Sequence, residues 1–135
     1  MREHMGLFRG KRTDGEWVEG SLHTEYGETR NDGSRTIDYR ILGMRGECDY
    51  VDPDTVGECT GLTDKNGKLI FERDVFEWGY AGVKEFQYVV AYDAELACFV
   101  GNRGGGFVTL NGIDIEIIGN VVDHPELLKG GEADE

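Results

Sequence analysis

The sequence predicts a mostly β protein, built as a small barrel-like or coiled antiparallel sheet with a short C-terminal helix. Three observations favour this fold class: apolar and polar residues alternate along several short segments, turn-forming glycines separate those segments, and one stretch near the end has helix boundaries. The chain has 135 residues, of which 39% are hydrophobic, so it is long enough for a domain-sized core.

Alternation along the chain predicts the strands. The N-terminal part has candidate strands at residues 16–22 and 36–42, with loops at residues 27–35 and 43–54. After Val56 the sequence becomes more apolar, and Asn66-Gly67 is typical of a tight hairpin. Further candidate strands follow at residues 69–78, 86–92, 98–100, 107–110 and 113–117, with a bend near Arg73 and a hairpin at residues 111–112.

The end of the chain predicts a different element. Pro125 in a first turn and Gly130 just past a last turn predict a short helix over residues 124–129. We therefore expect three regions: an N-terminal β segment over residues 1–56 packed on the rest, a barrel-like core over 57–123, and a helix with an acidic tail over 124–135.

Composition limits the partners and the compartment. The formal net charge of −13 repels phosphate backbones, so we expect no direct nucleic-acid binding. No apolar run approaches the length of a membrane span, and no secretory leader is visible, so we expect no membrane contact. Three widely spaced cysteines, Cys48, Cys59 and Cys98, fit free thiols in a reducing cytoplasm.

Motifs that would indicate catalysis or a cofactor fail on spacing. Five residues separate Gly61 from Gly67, and Leu69 follows Lys68, so the segment is not a phosphate-binding P-loop. Glu72 comes too early after Asn66 for a calcium loop of the EF-hand type. We expect no enzyme activity, no cofactor and no bound metal. Whether the Gly101–Gly106 loop contacts a ligand stays open, with Arg103 as a candidate anion contact.

Three segments, in order along the chain, resemble the YopX-like family of phage and prophage proteins. The opening resemblance is carried by residues 8–12 and 14–20, the central one by residues 51–57 and 60–68, and the closing one by residues 117–121 and 124–128. The family usually has Gly where this chain has Arg73, which would suit a bulge. Structural motif positions of the family are matched by Gly61, Asp64, Asn66, Gly67, Asp74, Gly119, Asn120 and Pro125.

The resemblance implies a mostly β protein of uncharacterised biochemical function, and it carries over no active site. Our leading hypothesis is a non-enzymatic phage or prophage accessory protein of the bacterial cytoplasm that binds a host or phage protein. The alternatives are an acidic nucleic-acid mimic that occupies a host DNA-binding protein, and an undetected enzyme. Strands 69–78 and 86–92 have apolar residues on both faces, so we also expect self-association, with Trp78 and Tyr88 as candidate interface residues.

Overall fold

The computed structural model describes residues 6–43, 45–79, 86–104, 106–110 and 114–127. Within these residues the protein is mostly β, with two antiparallel sheets. The chain divides into two units, Met1–Cys59 and Thr60–Glu135. The region boundaries predicted at residues 56 and 123 stay predictions.

Unit 1 is an antiparallel meander around one long strand. Its strands are β1 (Phe8–Lys11), β2 (Trp17–Tyr26), β3 (Ile37–Leu42), β4 (Cys48–Val51) and the start of β5 (Gly57–Thr63), with a 3₁₀ turn at Pro53–Thr55 before β5. β2 pairs with β1 and β3, β3 pairs with β4, and β1 pairs with β5. Ile41 and Val51 are buried, and a Cβ on Gly10 would meet Val51 Cγ2 at 2.9 Å. Gly10 therefore lets the two side chains pack against the backbone of β1.

Unit 2 contains a five-stranded antiparallel sheet. After the end of β5 its strands are β6 (Leu69–Phe71), β7 (Asp74–Trp78), β8 (Phe86–Asp93), β9 (Cys98–Arg103), β10 (Gly106–Thr109) and β11 (Ile117–Asn120). The sheet order is β10-β9-β8-β7-β11, and β6 instead extends the first sheet, whose order is β4-β3-β2-β1-β5-β6. The core of unit 2 consists of Ile70, Phe76, Tyr88, Val90, Leu110, Ile115 and Ile117.

The antiparallel β fold was predicted correctly, but of the two predicted forms, barrel-like or coiled, the barrel-like one is not supported because the sheets are not closed in the described part of the chain. The order of the second sheet ends in β10 on one side and β11 on the other, and these two strands do not pair within the described residues. Leu110 and Ile115, which would lie near the closing seam, are buried in the core instead.

The predicted helix is not among the described elements. Asn120, His124 and Leu127 form consecutive turns, in which Leu127 N–H donates to the His124 carbonyl at 3.1 Å. Glu126 and Leu127 have α-helical backbone, but no helix is complete within the described residues. Residues 128 and 129 of the prediction lie outside the described residues. No helix in the described part of the chain has the length and apolarity needed to cross a bilayer.

Two strand predictions were wrong in position. The structure places β4 inside the predicted loop at residues 43–54, and it begins β11 at Ile117 rather than at residue 113. Residues 111–113, which include the predicted hairpin, lie outside the described residues. Alternation predicted that Ile115 and Ile117 share a face, and both are buried. Ile115, however, belongs to a segment that is not part of a strand.

Candidate functional site

Asp64 is the centre of the hairpin between β5 and β6. Its Oδ1 accepts hydrogen bonds from the backbone N–H groups of Asn66 and Lys68, both at 2.9 Å. Its Oδ2 accepts from Ile117 N–H at 3.0 Å. The side chain is buried, and burial alone raises the pKa of Asp64, but the three N–H donors together hold the pKa below its usual range. The carboxylate thus joins the turn to the start of β11.

The other motif positions of this hairpin, Gly67 and Asn66, also make contacts that stabilise the turn. Gly67 has a φ of 82°, which a glycine adopts without steric cost, and its N–H donates to the Asp64 carbonyl at 2.9 Å. Asn66 Nδ2 donates to Glu116 at 3.1 Å, and Lys65 N–H donates to the Ile115 carbonyl at 2.9 Å. Among the described residues of the turn only Gly67 has positive φ, so the two-residue geometry that Asn-Gly predicts is not the one adopted.

Asp74 and its neighbour Arg73 form the sharp corner between β6 and β7. Asp74 is buried, and its Oδ2 accepts from Phe71 N–H at 2.8 Å across the corner. Arg73 has a φ of 78°, the left-handed conformation in which glycine is favoured. Its N–H donates to the Val90 carbonyl, and its own carbonyl accepts from Val121 N–H, both at 2.9 Å. The bend predicted at this position is therefore a turn that divides one predicted strand into two.

Asn120, with Gly119 before it, closes β11. Asn120 Oδ1 accepts from the N–H groups of Val122 and Asp123 at 3.0 and 2.9 Å, and its carbonyl accepts from His124 N–H at 2.8 Å. A Cβ on Gly119 would lie 2.8 Å from His124 Nδ1. Pro125 is exposed in the following turn. The contacts of Asp64, Asp74 and Asn120 are thus those of turns and strand ends.

The residues proposed as an interface lie against the core of unit 2. Tyr88 is buried and stacks on Phe76, with ring centroids 5.4 Å apart. Trp78 is half-buried and meets the Tyr88 ring edge-on at 6.4 Å. Tyr88 belongs to the same buried cluster as Leu110 and Ile115, and Trp78 packs partly against that cluster. Their role as interface residues stays a prediction. Little of Tyr88 is left to meet a second subunit.

The glycine-rich segment at residues 101–106 is shorter as a loop than the sequence predicts. Gly101, Asn102 and Arg103 belong to β9, and Gly106 begins β10. A Cβ on Gly101 would lie 2.4 Å from Phe76 Cζ, so this glycine makes room for a core ring. The Arg103 guanidinium lies 3.7 Å from the centroid of the Phe86 ring, which is a cation–π contact.

Cysteines and clusters of metal-ligating side chains were among the reactive groups considered in the sequence. The structure gives Cys48 as exposed, Cys59 as buried and Cys98 as half-buried, all as free thiols. Within the described ranges no three His, Cys, Asp or Glu side chains are grouped so that they could hold a metal ion.

A surface that the sequence did not indicate is the outer part of the β2–β3 hairpin. We call residues 23–38 the ribbon. Every one of them is exposed except Gly27, which is half-buried. The pairs between β1 and β2 end at Gly20, and those between β4 and β3 end at Tyr39, so the far end of the ribbon is two-stranded.

The two faces of the ribbon carry different side chains. Tyr26 and Ile37 are directly paired, which places them on one face, where they are 58% and 45% exposed. The Arg35 guanidinium lies 4.6 Å from the Tyr26 ring centroid. On the other face Glu25 accepts from Arg40 at 2.8 Å and from the Tyr50 hydroxyl at 3.2 Å. The Arg40 hydrogen bond lowers the pKa of Glu25.

Strand β2 was predicted to end at Leu22, whereas in the structure it continues to Tyr26. The signal that could have extended it is the placement of Tyr26 and Ile37, which lie at similar distances on either side of Asn31-Asp32-Gly33. A hairpin centred on that turn pairs them, as the structure does.

Comparison with known proteins gives a family match and similar solved structures. No curated protein matches the chain. The crystal structure of protein EF1440 from Enterococcus faecalis is similar at 23% sequence identity, covering 90% of this chain and 96% of that chain, with a TM-score of 0.49. The family model described as YopX protein matches residues 7–129, which is most of the sequence. The chain therefore belongs to the YopX protein family.

Proposed function

We propose that this protein is a non-enzymatic accessory protein of phages and prophages, and that it acts in the bacterial cytoplasm by binding another protein through the ribbon. Membership of the YopX family supports the phage setting, since the resemblance implies it. The observation that carries the binding role is the exposed Tyr26–Ile37 pair on a two-stranded segment.

The ribbon is only marginally stable in the free protein. A two-stranded hairpin with both faces in water is marginal by itself, because it buries little apolar surface against the entropy of ordering it. Exposed apolar pairs on such an element do nothing for the core of unit 1. A partner that covered Tyr26 and Ile37 would supply the missing burial, which favours a contact role for this element.

The chemistry of this face fits a protein partner. Tyrosine and arginine are the residue types enriched among side chains that dominate binding energy at protein interfaces. Stacking of Arg35 on Tyr26 orders both side chains before any encounter, so less entropy is lost on binding. Two exposed acids, Glu28 and Asp32, lie in the ribbon between Tyr26 and Ile37 in sequence. The matching patch on the partner is therefore apolar at its centre and basic at its rim.

The nucleic-acid mimic has less support. Such a mimic needs carboxylates free to imitate phosphates, but six of the aspartates that the structure describes accept local backbone hydrogen bonds. They are Asp14, Asp32, Asp52, Asp64, Asp74 and Asp93. Much of the aspartate content thus serves turns, which accounts for part of the acidity without a DNA-binding target.

The experiment has two steps. Tagged protein is expressed in bacterial host cells, captured proteins are identified, and a candidate is purified and titrated against the wild-type chain by calorimetry. Tyr26→Ala is then compared with wild type. Removing an anchor at the centre of an interface costs about 2 kcal/mol, so we expect about a 30-fold rise in Kd.

Tyr50→Ala is the matched control. Tyr50 is 54% exposed on the same sheet, but its pairing with Arg40 places it on the face opposite to Tyr26. We expect its Kd to stay within about twofold of wild type. If both variants bind like wild type while circular dichroism shows intact sheets, the ribbon is not the contact surface.

A further inference from the structure

Strand β10 is an edge strand of the second sheet, and its described residues show no charge and no bulge that would guard it against pairing. Edge strands are normally guarded by charge, by a bulge or by covering segments. β4 carries Asp49, and β11 has a register shift between Ile117 and Gly119. β10 reads Gly-Phe-Val-Thr, has no charged residue, and pairs with β9 in unbroken register.

We propose that β10 pairs with β10 of a second copy of this chain. The two strands would run antiparallel and join the two five-stranded sheets edge to edge. This self-association is separate from the binding function proposed for the ribbon, which lies in unit 1.

Charge argues for a second copy at this edge. Two chains that each carry −13 repel one another, so a contact between copies is favoured where the surface is least charged. Residues 96–113 contain one charged residue, Arg103, in a chain that is 30% charged overall. The Arg103 guanidinium is placed over the Phe86 ring of its own chain. β10 therefore lies in a long, nearly uncharged stretch of the chain, where repulsion between two copies is weak.

Symmetry sets the geometry of the contact. Two identical antiparallel strands in one sheet are related by a two-fold axis perpendicular to it, so each face of one sheet continues as the same face of the other. Phe107 is 51% exposed, and its ring would lie on the same face as Phe107 of the second copy, within reach across or beside the axis. Alternate residues of β10 would supply the backbone hydrogen bonds.

The test is the mass of the full chain in solution. Sedimentation equilibrium between about 1 and 200 μM, a range that spans weak interfaces of this size, is expected to show a reversible shift from 15.1 kDa toward twice that mass. Phe107→Asp puts two carboxylates near the axis and is expected to raise the dimer Kd at least about tenfold. Because Phe107 is half in solvent, circular dichroism should show the sheets unchanged.

Tyr92→Asp is the matched control. Tyr92 is also 51% exposed and lies on β8 of the same sheet, but β8 is an inner strand. We expect its dimer Kd to match that of wild type. A wild-type mass of one chain throughout the range would overturn the proposal, as would a dimer that Phe107→Asp leaves intact or one that Tyr92→Asp weakens equally. Because Tyr26→Ala leaves β10 untouched, failure of this proposal and failure of the ribbon's function are distinguishable.

Discussion

Replacement of Asp64 by Asn tests how this fold uses its buried carboxylates. Asp64 accepts three backbone N–H groups, two from its own turn and one from Ile117. Asparagine has nearly the same shape, but it has one carbonyl oxygen and an amino group that only donates. If that oxygen keeps the Asn66 and Lys68 bonds, the amino group faces Ile117 N–H, and two donors meet with no acceptor.

The expected loss follows from that count. A hydrogen bond to a charged acceptor contributes about 1.5–3 kcal/mol, and a buried donor without an acceptor adds a desolvation cost. We expect Asp64→Asn to lower the free energy of unfolding of unit 2 by about 2 kcal/mol or more. Urea titration measures it. The chain has two tryptophans, and Trp17→Phe is introduced into both proteins. The fluorescence then comes from Trp78, which lies in unit 2.

The same change has a pH dependence with a definite sign. The folded pKa of Asp64 lies below the unfolded value of about 3.9, so its contribution is fully present above that value. It is lost as the pH falls through the folded pKa, where the carboxyl becomes protonated in both states. The difference in unfolding free energy between wild type and Asp64→Asn should therefore be constant near neutral pH and shrink below about pH 4.

Asp38→Asn is the control, since Asp38 is exposed on β3 and the chemical change is identical. We expect it to change stability by less than about 0.5 kcal/mol. The reasoning fails if Asp64→Asn is as mild as Asp38→Asn at pH 7, or if their difference persists unchanged in acid.

Two backbone predictions can be checked by the same titration. Gly101→Ala should lower the free energy of unfolding by about 1–3 kcal/mol, because its Cβ would lie 2.4 Å from Phe76 Cζ. Gly106→Ala, which has nothing within 4 Å of the added Cβ, should be nearly neutral, and equal effects would refute the packing account. Ala97→Gly should raise stability by up to about 1 kcal/mol, since Ala97 has a φ of 54°. A loss there would contradict a steric strain at Ala97.

Local patterns predicted the parts of the fold that depend on neighbours in sequence. Strict alternation located β8, where Tyr88 and Val90 are buried, and Asn66-Gly67 located the hairpin between β5 and β6. The break at Arg73 was also visible, because Asp and Arg interrupt an apolar run. Each of these features is decided within about ten residues of the chain, which is the range that periodicity and turn chemistry cover.

What could not be predicted depends on pairs distant in sequence. In the sequence Gly101 looks like a loop glycine. In the structure the Phe76 ring, from another strand, occupies the space where a side chain at residue 101 would lie. The burial of Tyr88 in one cluster with Leu110 and Ile115 could not be predicted, because those residues are distant from it in sequence. The alternation of residues 36–42 predicted the second strand of the ribbon, but the extension of the first strand beyond Leu22 was missed because its register is set by a turn.

Hydrogen–deuterium exchange on the reconstituted complex tests the ribbon's role most directly. In the free chain, amides of residues 23–38 should exchange quickly, because the far end of the ribbon is two-stranded and open to water on both faces. With the partner bound, we predict that these amides slow by about tenfold or more, with the greatest protection around Tyr26 and Ile37. Protection confined to other segments, with unchanged exchange in residues 23–38, would contradict the account.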